Sequence, residues 1–421
     1  MQPWFCQAFG KLLIRALQNC LRRGSVSERI ITVGPKDADV VGTDNRALQI
    51  AVDALAVQGG GTVRVLPGVY HMKNSLRLRS GVNVVGAGPD TLLRKCDGFR
   101  SPLFIDADYG QLKVTPFDVS GFQEGMGISV LDRRHGDGWY VTVTSISRIE
   151  GATLHVSDYL VMDYNAEDGG LVTNAFSVVS GIDVEDVRVE GLAVDGNKDT
   201  NDRLNGCRGG GIYLHRAKRC QVVNCVVRDF NGDGISFQMT QDILVEGCEC
   251  TGCTGLGMHP GTGSARPIVR RNRIHHNGDI GLFLCWRVQD GLFEENEIYE
   301  NGGAGISIGH KDSRNTFVRN VIRKNRRAGI HFRPENEKNA GHECRFAGNI
   351  IEDNGEAGIL VDGAVHGLEF TENIVRSTLP AGQAVQKIGI YIGPQAQMIS
   401  LLGNKVSGHP DGDIVEAPKA R

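Results

Sequence analysis

A glycine followed by apolar, variable and apolar residues returns down the second half of this chain at a near-constant spacing. It reads Gly211-Ile212-Tyr213-Leu214, Gly234-Ile235-Ser236-Phe237, Gly255-Leu256-Gly257-Met258 and Gly281-Leu282-Phe283-Leu284, then Gly305-Ile306-Ser307-Ile308, Gly329-Ile330-His331-Phe332, Gly358-Ile359-Leu360-Val361 and Gly389-Ile390-Tyr391-Ile392. An asparagine series, Asn272, Asn296, Asn320, Asn349, Asn373 and Asn404, runs in step, with Cys225 and Cys248 holding the same place in the two preceding units. Three successive steps of this series are 24 residues each. A fixed period of this kind is the mark of a solenoid. Within each unit the apolar residues alternate, which is the strand period with one face buried. Short strands separated by turns such as Asn277-Gly278, Asn301-Gly302 and Asn354-Gly355 then stack coil on coil in parallel and bury a continuous Ile/Val/Leu/Phe core. The repeated asparagine belongs at an inward turn, where its amide satisfies backbone groups of neighbouring coils. The fold expected is all-β, a right-handed parallel β-helix.

Composition narrows the partners. At 421 residues one long solenoid with an insertion accommodates the chain. A net charge of −3 supplies no field that would favour nucleic acid, and no apolar run reaches membrane-spanning length. Residues 1–30 are amphipathic and basic, with Trp4, Phe5, Phe9, Leu12 and Leu13 interrupted by Lys11, Arg15, Arg22 and Arg23. They lack the apolar centre and small-residue cleavage site of a secretion signal and read as a helical cap. Among the 11 cysteines, Cys250 and Cys253 form a C-x-x-C with no second pair to complete a zinc site. The cysteines therefore read as packed thiols, a usage that favours the cytoplasm, with export left open.

Four segments follow: a cap over 1–30, the opening of the helix over 31–116, a β insertion over 117–176, and coils over 177–421. In the second, Thr43 or Asp44 caps a helix running to about Val57, and Gly59-Gly60-Gly61 ends it. In the third, alternating strands are expected at Gly127–Leu131, Tyr140–Ile146 and Thr153–Val156. Asp39 to Asn45, the triple glycine, Leu66-Pro67-Gly68-Val69-Tyr70 and Asp195-Gly196-Asn197 together resemble the pectate-lyase superfamily of β-helix proteins. That resemblance implies carbohydrate-active chemistry. The stretch from Cys248 to Gly309 is similar to coils of mannuronan C5-epimerases. His259 matches the histidine of that family's Y-G-F-D-P-H motif, whereas Thr254, Gly257 and Met258 depart from its Tyr, Asp and Pro.

Outward positions of the glycine-led strands include Tyr213, His215, Gln238, His259, His331, Arg333 and Asp362, and residues just beyond them add Arg287, His310, Lys311 and Glu335. A strip of histidine, cation and aromatic residues suits a sugar ring and its carboxylate. β-Elimination on a uronate needs a cation to neutralise the carboxylate and a base for the adjacent proton. His259 or His331 serves as the proton-transfer residue and Arg333 or Arg287 as the neutraliser, with Tyr213, His215, Gln238, His310, Lys311, Glu335 and Asp362 binding substrate. Glycoside hydrolysis by Glu335 and Asp362 on adjacent coils is the alternative; C5-epimerisation and a non-catalytic binding or structural solenoid are the others. The expected partner is an acidic polysaccharide; the sequence leaves monomer against homo-oligomer open. The acidic stretch Asp195, Asn197 and Asp199 carries alternate oxygen ligands that resemble half a calcium loop, without its glycine and closing glutamate. Calcium is the ion those residues would hold.

Overall fold

The computed structural model describes residues 29–380 and 382–418, so most of the amphipathic segment expected over 1–30 lies outside the described residues. The chain is a parallel β-solenoid whose coils contribute three short strands each. In one coil these are Ile235–Gln238, Leu244–Glu246 and Glu249–Thr251. The glycine-led strands stack into an 11-stranded sheet from Leu76–Arg77 to Ile414–Glu416. The other two ladders diverge from Arg188–Asp195, which pairs in parallel with both Gln221–Val223 and Val226–Arg228.

Inward residues of all three ladders fill one core. Phe293, Phe317, Phe346 and Phe370 stack along it at centroid separations of 4.8, 4.6 and 4.9 Å, the spacing of hydrogen-bonded strands. The asparagine series forms the expected ladder. Asn296 donates to the Val269 carbonyl (2.9 Å) and to Asn320 Oδ1 (2.9 Å), while its own Oδ1 accepts from the Asn272 amide (3.1 Å). A second ladder runs beside it, through Asn277, Asn301, Asn325, Asn354 and Gln386. These residues head turns in the sequence, yet their side chains point inward and cross-link coils instead of facing water. Paired this way, the buried amides satisfy backbone groups at the corners that would otherwise lack partners.

Asp44 caps the helix Asn45–Val57, its Oδ1 accepting from the Arg46 and Ala47 amides at 3.0 Å each. Ala47, Leu48, Ala51, Val52 and Leu55 bury its apolar face against the first strands. A separate six-stranded antiparallel sheet begins at Arg100–Pro102, ahead of Phe117, and returns at Leu171–Thr173. It has its own core around Ile128, Val130, Leu154 and Val172. The described cysteines are free thiols, and Cys225, Cys248, Cys250 and Cys253 are buried in the solenoid core, as packing residues. Among the described residues no helix is long and apolar enough to cross a membrane.

Candidate functional site

The glycine-led ladder holds its outward residues in columns. Ser236 stands beside His259, Phe283 beside Ser307, Ser307 beside His331, and His331 beside Leu360. A loop divides this face into two parts. The segment 203–210 lies across the coils of Tyr213, Ser236 and His259, held by Tyr213 Oη donating to the Cys207 carbonyl (2.6 Å) and Ser236 Oγ donating to the Gly206 carbonyl (2.6 Å). Gly206 permits this approach, because a Cβ there would collide with the Asp233 carboxylate and the His259 ring. Residues expected to line an open strip are therefore covered at this end. Tyr213, His215, Gln238 and His259 are all buried, and Gln238 Nε2 donates to Ser236 Oγ (3.0 Å) and weakly to the Gly206 carbonyl (3.4 Å).

Beneath the loop, His259 Nδ1 meets Asp233 Oδ2 at 2.8 Å, and His259 Nε2 is buried without a partner. Phe283 packs edge-on against the ring with centroids 5.4 Å apart. Asp233 precedes Gly234, one coil before His259, and that register was the signal available in the sequence. Cys207 of the loop and Cys285 interact thiol to thiol, which pulls the Cys207 thiol down and pushes that of Cys285 up.

Past the loop the face opens. His310 stacks on Trp286 with ring centroids 4.4 Å apart, and its imidazole lies 3.3 Å from the Glu335 carboxyl. His331 Nε2 lies 3.1 Å from Asp362 Oδ2. Burial holds the His331 imidazole below its ordinary value, with the Asp362 carboxylate pulling the other way. Trp286 is 46% exposed and offers a flat aromatic surface beside these pairs. Trp286 and Arg287 have φ of 62° and 68°, and His310 and Lys311 of 40° and 67°. Among the described residues, only at these two turns do consecutive non-glycine residues take positive φ, a strained geometry that concentrates at functional sites. Arg287 and Lys311 are exposed there and form no ion pair with another described residue, and the Arg287 amide donates to the His310 carbonyl at 2.9 Å, which ties the two turns together.

Arg333 differs from expectation. Its guanidinium donates to Ser307 Oγ (3.0 Å), to the Leu284 carbonyl (3.0 Å) and to Asp312 Oδ2 (3.2 Å), and sits 4.7 Å over the Phe283 ring. Asp312, which the sequence reading passed over, is fully buried, and burial pushes its carboxyl up to about 7 against the pull of Arg333.

The residues expected to hold calcium are engaged within the protein. Asp195 is paired with Arg228 at 3.3 Å, and Asn197 Nδ2 donates to Asp97 Oδ1 at 2.9 Å. No side-chain partner is shown for Asp199 beyond its neighbour Lys198, whose charge it supports. No group of three or more His, Cys, Asp or Glu side chains among the described residues is placed to hold a metal.

Three ladders of parallel strands around one core define a right-handed parallel β-helix protein. The chain belongs to the right handed beta helix region family, whose profile matches residues 169–333, 210–375 and 290–416. No curated protein matches it in sequence. Among solved structures it is similar to the A-module of a mannuronan C-5 epimerase of Azotobacter vinelandii (TM-score 0.54, 15% identity, covering 92% of this chain and 100% of that one). It is similar also to a polygalacturonase from Erwinia carotovora ssp. carotovora (TM-score 0.53, 12% identity, covering 93% and 99%). The Dettilon tailspike protein gives a TM-score of 0.56 at 14% identity, with 88% of this chain aligned to 59% of the tailspike. At these identities the likeness establishes the fold.

Proposed function

We propose that the chain is a polysaccharide-acting enzyme whose substrate carries uronate carboxylates, and that it cleaves by β-elimination on the open face from Phe283 to Asp362. The observation that carries this reading is the pair of exposed cations Arg287 and Lys311, on strained adjacent turns of the same face that holds the His331–Asp362 pair. Arg287 and Lys311 would neutralise the substrate carboxylate and so acidify the neighbouring C–H. His331, neutral near pH 7, would accept that proton while Asp362 fixes its tautomer. The electron pair released forms the ring double bond and expels the 4-linked oxygen, which takes a proton from solvent, while Glu335 beside His310 would bind a sugar hydroxyl. Trp286 would stack on a sugar ring. In this reading Arg333 and His259 are positioning residues: one is committed to Asp312, the other to Asp233 under the 203–210 loop. The named neighbours, an epimerase of mannuronan and a polygalacturonase, accord with a carboxylated sugar polymer.

One observation favours a second reading. Glu335 and Asp362, each beside a histidine on adjacent coils, would serve glycosidic hydrolysis as acid and base. The test is a panel of pectate, alginate, glucuronans and neutral glycans, read in parallel for ultraviolet absorbance and for reducing ends. Absorbance rising on a uronate polymer supports elimination. Reducing ends without absorbance move the assignment to Glu335 and Asp362. Silence in both channels favours a binding or structural solenoid.

A further inference from the structure

A second cavity, of about 270 Å³, lies at the other end of the glycine-led face, on the far side of the 203–210 loop. Its floor is the earliest coils, with Arg77, Ser180, Tyr213 and His215; the antiparallel sheet supplies a wall through Val143, Thr144 and Asp158; Arg208 of the loop closes the third side. Loop and sheet also meet directly: Asn205 bonds Asp137, the Arg208 guanidinium lies 5.9 Å from the Trp139 ring, and that ring packs 5.3 Å from His215 of the cavity floor.

Three polar groups here have unused capacity. His215 is only 6% exposed and its Nε2 is buried without a hydrogen-bond partner. Arg208 Nε is likewise buried and unpartnered. Arg77 donates through its guanidinium to Ser145 Oγ alone (2.9 Å) and has no carboxylate partner. Buried donors left unpaired in a native structure call for a missing partner. Against these stands one carboxyl, Asp158, which accepts from Thr144 Oγ1 at 3.0 Å. Arg79, also lining the cavity, is already paired with Asp53 at 2.8 Å. The unmatched charge is thus positive, in a space large enough for a pyranose ring. Hydroxyls of Ser75, Ser180 and Thr144 alternate with the apolar surfaces of Leu78, Phe176 and Ile182, a lining that suits a sugar better than a bare anion.

We infer that this cleft binds a hexuronate unit, its carboxylate held by Arg208 and Arg77 and a ring hydroxyl by His215. The antiparallel sheet is then one wall of a binding site, separate from the open face around Arg287 and independent of any turnover there.

Trp139 reports on the cleft and Trp286 on the open face, so the experiment uses a background with Trp4→Phe and Trp286→Phe, which leaves Trp139 as the single tryptophan, and follows its emission. D-glucuronate, D-glucose and sulfate are titrated against the full chain. Glucuronate is expected to give a saturable change that glucose does not. Arg208→Gln is expected to weaken binding at least about tenfold, as loss of a charge-assisted hydrogen bond does. Arg77→Gln provides a second variant at a side chain anchored only by Ser145, and unfolding curves of both confirm that the fold persists. Absence of a saturable response, an equal response to glucose, sulfate binding as tightly as glucuronate, or unchanged affinity in both variants would each overturn the inference.

Discussion

The Arg333 guanidinium lies 3.2 Å from the carboxyl of Asp312, which has no solvent exposure, and the two close a bridge between coils beneath the open face. Asp312 Oδ1 accepts from the Val288 amide and Oδ2 from the Gly309 amide, so this carboxyl sets the turn that presents His310 and Lys311. Removing one partner of a buried pair costs on the order of 3 kcal/mol, because the other charge is left uncompensated. Arg333→Met is therefore expected to destabilise the protein by about that amount, and Asp312→Asn in the same chain to restore part of it. The pH sign follows from the raised Asp312 carboxyl: a group bound more tightly to its proton in the folded state stabilises below its unfolded value and loses that contribution as pH rises toward 7. The Arg333→Met deficit, read from urea unfolding, should be larger at pH 8 than at pH 5. An equal deficit at both would sink the assignment.

Arg287 and Lys311 should behave in the opposite way. Both are exposed and unpaired, so replacing either with alanine is expected to move stability by less than about 0.5 kcal/mol. Cleavage of a uronate polymer should nevertheless fall at least about tenfold in kcat/KM, the loss of a single charge contact. A double variant that retained full activity would remove these cations from the site.

His331 needs its neutral form to accept a proton. Asp362 raises its affinity for protons while burial lowers it, so Asp362→Asn is expected to shift the His331 titration to lower pH, as read by NMR. The acid limb of the activity profile should move the same way, with a reduced plateau because the ring loses its orienting partner. A shift to higher pH would contradict the geometry.

The asparagine ladder makes a structural prediction. Asn296→Ala removes an amide that serves Val269, Asn272 and Asn320 at once, leaving buried backbone groups unpaired at about 1–3 kcal/mol each. A loss of 3 kcal/mol or more is expected. Hydrogen exchange should rise first in the flanking coils, because each coil contacts only its neighbours.

Period and alternation carried most of the fold. The glycine-led strands, the asparagine ladder and the Asp44-capped helix all follow from local rules acting at short range. The second ladder was hidden because Asn277 and Asn301, followed by glycine, carry the same signature as solvated turn residues; only three-dimensional stacking turns them inward. The site was less legible. Alternation correctly set His259 and Gln238 on the outer side of their strands, but whether an outer side meets water depends on what lies over it, and the covering 203–210 loop enters from an earlier coil. Arg333 and Asp312 are 21 residues apart, and no periodic rule pairs them.

Asn320 and Asn349 are 29 residues apart instead of the usual 24, yet the amide-to-Oδ1 bond between them is 2.9 Å, beside 3.0 Å in the shorter coil before. The surplus chain is taken up in the excursion that carries Glu335, and the core does not register it. Asn373 and Asn404 are 31 residues apart with the same bond at 3.0 Å, the surplus there lying between Arg376 and Ile388, so length is a free variable at the two corners flanking the glycine-led strand and a fixed one at the turn between the other two strands. A peptide spliced into the 333–343 excursion should leave the stack intact and alter only what the face recognises, whereas a single residue added in the tight turn between Val318 and Val321 would displace Asn320 from its ladder. Recognition and architecture can therefore change independently in this protein, one by insertion and the other hardly at all.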